Sequence, residues 1–246
     1  RELAGRAGGS RVDITPVLKA LDVPVRAMIA PLLDKPAAAA ISAALATYLL
    51  PAVPEGAVWV QDPDLYHATL YHASSHAKPV PATSGDVLTE ARAIQAVAAA
   101  TCPIRAVLER VVLTSTGVVV ACWQATSAGA EPAALRASLA AALPNAPGPE
   151  AQMVREPAML HTTLARLLAP PQLGAQAGGA PSVDTERAAG AVRALSDSLC
   201  GLKATFSEVW FVEEQDLLAL ALKGRFINHP APLTCPTDVT GAAGAA

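Results

Sequence analysis

Two of the five histidines in this chain sit in the same four-residue phrase, His67-Ala68-Thr69-Leu70 and His161-Thr162-Thr163-Leu164, ninety-four residues apart. A single H-x-T-L is an ordinary strand segment; a matched pair is a constellation. In a β-strand, residues i and i+2 share a face. His67 with Thr69, and His161 with Thr163, therefore each put an imidazole and a hydroxyl on one side, while Leu70 and Leu164 anchor the other. Two imidazoles can divide acid and base work on one phosphate. The neutral ring takes a proton from water, and the protonated ring gives one to the leaving oxygen on the far side of an in-line displacement. The threonine hydroxyls would hydrogen-bond the non-bridging oxygens as charge builds on them. This chemistry calls for no metal and no cofactor. The competing reading makes each motif a plain strand with a satisfied histidine, and the pairing counts against it.

The rest of the chain must hold these two strands in matching positions. Of its 246 residues 52% are apolar, 4% aromatic and 16% charged, with a formal net charge of -3. That composition excludes a disordered chain and a basic scaffold gripping a long nucleic-acid track. The most apolar stretch, residues 36–53, is interrupted by Ser42, Thr47 and Tyr48 and is too short to span a bilayer, so it reads as a buried helix.

Strand and helix patterns alternate along the chain. Strands are expected at 23–31, 57–60, 65–72 and 103–114, with helices at 36–50 and 86–100. The plan then repeats: strands at 117–124, 152–155, 159–168, 204–212 and 217–223, helices at 131–143 and 184–199. The fold class expected is α+β, a bilobal duplication of β-α-β-β-α-β with antiparallel sheets around a central cleft. The lobes would span 25–115 and 116–224. Residues 1–24 form an N-terminal arm, whose basic, Gly/Ala-rich start is open between a plain arm and the remnant of a transit segment. Residues 225–246 are expected as a tail.

With these residues in view, the sequence resembles the 2H phosphoesterase superfamily, in particular its RNA-ligase-like and 2',3'-cyclic nucleotide phosphodiesterase members of plant or algal type. VRAMIAPL at Val25 is similar to the family's first strand, VWVQDPDLYHATL at Val58 to its approach to the first motif, and LHTTLARL at Leu160 to its second. The resemblance covers about residues 25–224 and implies metal-independent hydrolysis of a 2',3'-cyclic phosphate by His67 and His161, with Thr69 and Thr163 binding the phosphate. The implied partner is a small nucleotide or an RNA terminus bearing a cyclic phosphate. The segment YHASSHAKPVP departs from the family, since it lacks the usual glycine turn after the first motif. The alternative is a non-catalytic module that keeps the cleft to bind a nucleotide or RNA end, or serves as an assembly subunit.

Secondary candidates follow from position. Tyr71 has the parity of His67 and Thr69 and is a candidate to stack on a base or reach a phosphate, the alternative being that it closes the end of the strand. Arg166 follows the second motif closely, with opposite parity to His161, and is a candidate phosphate ligand. His67, His72 and His76 suggest a metal trio by spacing, against which His72 is expected to face the other way. Trp59, Trp123 and Trp210 are candidates for base stacking, with core packing the first claim on each. Glu213 and Glu214 are expected in a solvated turn, and His229 in a solvated tail. Four separated cysteines, Cys102, Cys122, Cys200 and Cys235, suggest neither a zinc site nor a disulfide framework. The location expected is therefore intracellular, in the cytoplasm or an organelle, without membrane insertion.

Overall fold

Helix starts are written in the sequence. Asp34 accepts the Ala37 amide at the head of α1 (Lys35–Ala44), with a proline in the first turn. Thr83 and Asp86 form a capping box for α2 (Ser84–Ala99). A proline opens α3 (Pro132–Ala142), and Asp184 accepts the Glu186 and Arg187 amides at α4 (Thr185–Leu199). Burial in α4 falls on Ala188, Val192, Leu195 and Leu199, the stripe that a helical period of 3.6 requires.

The computed structural model describes residues 17–168, 171–172 and 183–236. Its strands are β1 (Lys19–Pro31), β2 (Val58–Val60), β3 (His67–Ser74), β4 (Ile104–Leu113), β5 (Val118–Ala125), β6 (Leu160–Leu167), β7 (Pro171–Gln172), β8 (Val183–Asp184), β9 (Lys203–Phe206), β10 (Glu208–Leu217) and β11 (Phe226–Pro232), with a short helix α5 (Ala219–Leu222) before the last. They form a four-stranded sheet ordered β11-β10-β1-β3, a five-stranded sheet ordered β2-β6-β5-β4-β9, and a small β7-β8 pair. All neighbours in the two main sheets run antiparallel. The α+β class and its paired antiparallel sheets are as the sequence pattern indicates.

Helix α2 packs on β10 and β11 and α3 on β3, whereas α4 covers β4 with α1 against it. The main core joins Met28, Ala30 and Leu70 of the first sheet to Leu108, Ala121 and Leu164 of the second. A smaller cluster, Val25, Ala27, Ile29, Val212 and Leu220, lies on the other face of the first sheet. The sheets approach each other where β3 meets β6, which brings the two motif strands together.

Several expectations give way. Each sheet draws strands from both halves of the chain, so the segments 25–115 and 116–224 are not the two sheets. The expected tail is not a tail at its start: β11 pairs with β10 from Glu208 opposite Pro232 to Glu214 opposite Phe226. Residues 149–151 make a helical turn in place of a strand at 152–155, and α5 replaces a strand at 217–223. Cys102 and Cys235 form a disulfide; the Thr234 amide and hydroxyl donate beside it to the carbonyls of Ala98 and Ala99. That pairing removes the spacing argument for a reducing compartment, because two cysteines far apart in sequence are brought together by β11. Cys200 is exposed, and Cys122 is half-buried. No helix among the described residues is long and apolar enough to cross a membrane. The N-terminal arm up to residue 16 and most of the 169–182 linker lie outside the described residues.

Candidate active site

Both motif strands carry the same irregularity. On β3, Thr69 pairs with Ile29 but Tyr71 with Met28, so Leu70 is an extra residue. On β6, Thr163 pairs with Val120 but Ala165 with Val119, so Leu164 is an extra residue at the matching point. A bulge of this kind inverts the alternation beyond it. Leu70 and Tyr71 both turn into the core, as do Leu164 and Ala165. The next residues, His72 and Arg166, swing back to the side of His67, Thr69 and Thr163, and all five line one cavity of about 280 Å³.

The bulge corrects two expectations. Tyr71 does not reach the cleft: it is 5% exposed, and its hydroxyl donates to the Pro147 carbonyl at 3.0 Å. His72 does line the cleft with His67 and His76, yet no three His, Cys, Asp or Glu side chains among the described residues form a metal-binding set. Arg166 lines the cleft despite its parity, half-buried, with burial lowering its pKa. A larger hollow of about 450 Å³ beside Arg105, Thr126 and Lys203 contains neither motif.

The two motif histidines differ. His67 Nδ1 lies 2.8 Å from the Leu65 carbonyl. A carbonyl only accepts, so Nδ1 carries the hydrogen, and in the neutral ring the lone pair is on Nε2. Burial lowers the His67 pKa, and the nearby charge of His161 lowers it further, against the hydrogen bond to Leu65. His161 stands on the same face of β6 as Thr163, two residues earlier. It is not part of the cavity wall, but it is near enough for its charge to act on His67. Burial lowers its own pKa, with Arg136 adding to the effect. Its Nδ1 is buried without a hydrogen-bond partner among the described residues. Neither threonine hydroxyl has a hydrogen-bond partner among the described residues.

The supports of this site carry no motif. Buried Arg136 on α3 donates to the carbonyls of Thr69 and Leu70 at the first bulge. It donates also to those of Pro157 and Met159, just before β6, so one guanidinium ties both motif strands together. Burial pushes its pKa down to about 10. Gln152 serves the outer edge of β3 as a strand would, accepting from the His72 amide and donating to its carbonyl. Gln61, 2% exposed, donates to the Leu65 carbonyl that holds His67 and to the Leu220 carbonyl of α5.

The acidic pair expected in a solvated turn lies inside β10. Glu214 lines the cleft and accepts the Leu220 amide at 2.8 Å; burial raises its pKa. Glu213 pairs with the partly buried His229. Trp59 lines the cleft. Trp123 packs edge-on against Phe206 in the core, and Trp210 is half-buried, with its indole donating to Glu208.

Neither a protein-family model nor a curated protein matches the chain. Among solved structures, TT0787 of Thermus thermophilus matches 86% of this chain over 100% of its own length, with a TM-score of 0.55 at 20% identity. The chain shares the fold of TT0787. At that identity the likeness speaks for the fold alone. LigT of E. coli, complexed with NADP+ or with 3'-AMP, gives a TM-score of 0.45 at 15% identity over 95% of its length, and no argument rests on it.

Proposed function

We propose that the protein is a phosphodiesterase that opens 2',3'-cyclic phosphates of nucleotides or RNA ends with two histidines. The observation that carries this reading is the repeated bulged H-x-T strand, which brings His67, Thr69, Thr163 and Arg166 to one cavity with His161 within electrostatic reach. Its motifs are those of the 2H phosphoesterase resemblance.

The tautomer of His67 favours it as the base. Water attacks phosphorus; Nε2 of His67 takes the water proton; the bond from phosphorus to the leaving ribose oxygen breaks; and His161 supplies the proton to that oxygen. The products are a phosphate monoester and a free hydroxyl, with the two rings exchanged in protonation and reset through solvent. Burial disfavours a charged His161 in the free protein, but an anionic substrate beside it favours one. The Arg166 charge offsets that of the equatorial oxygens, and the two hydroxyls donate hydrogen bonds to them.

The test is hydrolysis of a nucleoside 2',3'-cyclic phosphate in EDTA. Turnover that survives chelation and is lost in His67→Ala and His161→Ala supports the reading. Tight binding without turnover overturns it in favour of a binding module, and turnover that EDTA abolishes overturns the metal-free route.

A further inference from the structure

The open face of the second sheet runs on past the motif strands. Cys122 of β5 stands opposite His161. Two residues further along β5, Gln124 stands opposite Val107 of β4, which in turn stands opposite Lys203 of β9. Arg105, two residues before Val107, stands opposite Thr205. Paired residues and i, i+2 neighbours share a face, so Arg105 and Lys203 look to the same side as His161. Exposure agrees: Arg105, Gln124 and Lys203 are exposed, whereas the intervening Ala106, Trp123 and Ala204 are buried. Here lies the hollow of about 450 Å³, lined by Val107 and Thr205 as well as by the two cations. Neither cation is in an ion pair among the described residues, whereas Arg110, opposite Cys122 and nearer His161, is matched by Glu109. Asp34 is the one acidic residue on the wall among the described residues, and it spends a carboxylate oxygen on the Ala37 amide. Two like charges at diagonal positions of neighbouring strands repel each other, and an anion between them relieves this.

We propose that this hollow is a distal phosphate subsite, in which Arg105 and Lys203 hold the backbone of an RNA strand whose 3' end lies at the two motif histidines. The inference rests on the phosphodiesterase reading and decides the length of the substrate, which that reading leaves open between a nucleotide and an RNA end. The volume is more than an inorganic ion fills: about 450 Å³ falls among pockets for organic molecules, roughly 300–1,000 Å³. Distance sets the reach. From His161 to Lys203 is three strand spacings and two residues, and to Arg105 two spacings and four residues, roughly 16 Å in each case. A single strand advances roughly 3.4 Å per phosphate when stacked and about twice that when extended, so about two to five nucleotides separate the reacting phosphate from this one. One anchor at that distance, in place of a continuous basic track, is consistent with a net charge of -3. A guanidinium and an ammonium donate to phosphate oxygens whatever the base, so the subsite reads length and not sequence.

The experiment compares uridine 2',3'-cyclic phosphate with a hexauridylate ending in the same group, at low salt, in wild type, Arg105→Gln, Lys203→Gln and Asp34→Asn. Both glutamines replace exposed side chains, and asparagine keeps the cap of α1; circular dichroism checks that the fold is kept. The wild type is expected to favour the hexamer by about tenfold in kcat/KM, mostly through KM. Each glutamine should cut that preference about threefold and leave turnover of the mononucleotide unchanged, and Asp34→Asn should raise it, because the one opposing charge is gone. A diuridylate with the same end, too short to reach, should behave as the mononucleotide. Equal wild-type kcat/KM for mononucleotide and hexamer, or a preference that both glutamines leave intact, overturns the subsite and leaves the hydrolase reading standing. A hollow that takes a separate polyphosphate shows itself differently: tripolyphosphate would change mononucleotide turnover in wild type but not in Arg105→Gln, with no preference for the hexamer, and that result also overturns the proposal. If wild type turns over neither substrate, the hydrolase reading falls, and fluorescence anisotropy with a 5'-labelled hexauridylate 3'-phosphate decides the subsite alone. Weaker binding in both glutamine variants and tighter binding in Asp34→Asn support it, and unchanged binding overturns it.

Discussion

The two motif strands present the same face by different means. β6 is an interior strand, paired on both sides by β2 and β5. β3 is the edge of its sheet, and side chains do there what a neighbouring strand would: Gln152 serves the backbone of His72, and Arg136 the carbonyls of Thr69 and Leu70. The rings differ in the same sense. His67 is tied to its own chain through Leu65, while His161 has a buried Nδ1 with no partner among the described residues. The bulge falls at the same point of both motifs. In the mechanism proposed above, the differences in pairing and ring support are where base and acid become distinct.

The strongest way to break that comparison is to remove the rings. His67→Ala and His161→Ala should each lower kcat by about 10²–10⁴-fold. They should part company on a nitrophenyl phosphodiester, whose leaving group departs without a proton. His161→Ala should recover most of its loss there and His67→Ala none, as steady-state kinetics would read; equal recovery would reverse or erase the assignment. Next in size is the strut. Arg136→Met leaves four carbonyls without their donor and should cost about 3–5 kcal/mol in urea unfolding. On β6 the corresponding support is smaller, since Trp123 donates to Thr162 in a strand already paired on both sides. Thr162→Val should therefore cost only about 1–2 kcal/mol.

How much of this was legible in the sequence follows from which forces act locally. Caps, prolines and alternation located nearly every helix and strand, because those signals are local. That His67 and His161 stand at matching points of two like strands was legible because the motif repeats. The faces of Tyr71, His72 and Arg166 were misjudged because parity was extended through a bulge. The signal was present: two consecutive apolar residues, Leu70-Tyr71 and Leu164-Ala165, interrupt strict alternation at the same point of each repeat. Arg136, Gln152 and Gln61 gave no such sign. Their partners are backbone carbonyls and amides, which any sequence supplies, so only the fold selects them. The Cys102–Cys235 disulfide and the burial of Glu214 likewise depend on where β10 and β11 pair.

The strand that bears His72 also predicts a pH dependence. The folded pKa of His72, about 4, lies below its ordinary 6.5. Between those values the unfolded chain binds the additional proton, so stability is fully present above about pH 6.5 and falls as pH drops through the window. The shift corresponds to about 3 kcal/mol by pH 4. Burial lowers His67 and His161 in the same direction. Unfolding free energies from urea titrations between pH 7 and 4 in wild type and His72→Leu should diverge by that amount. Parallel curves would mean that His72 is protonated without cost, and the contrast between its neutral ring and the cationic Arg166 at the matching position of β6 would lose its basis.

The smallest effect tests the tie that distinguishes His67 from His161. Gln61 donates to the Leu65 carbonyl and so fixes the acceptor of His67 Nδ1–H, and it joins that acceptor to the Leu220 carbonyl of α5. It is a positioning residue, acting on His67 through the Leu65 carbonyl. Gln61→Met fills similar volume without the donors. It should lower kcat by about fivefold and leave KM nearly unchanged, because misorientation of the base weakens the transition state more than the bound ground state. The decisive measurement is the double-mutant cycle. In a His67→Ala background the ring that Gln61 positions is gone, so adding Gln61→Met should change kcat no further; in a His161→Ala background the fivefold loss should persist. A loss of equal size in both backgrounds would make Gln61 a support of the fold at large and would leave the two histidines equivalent in how they are held.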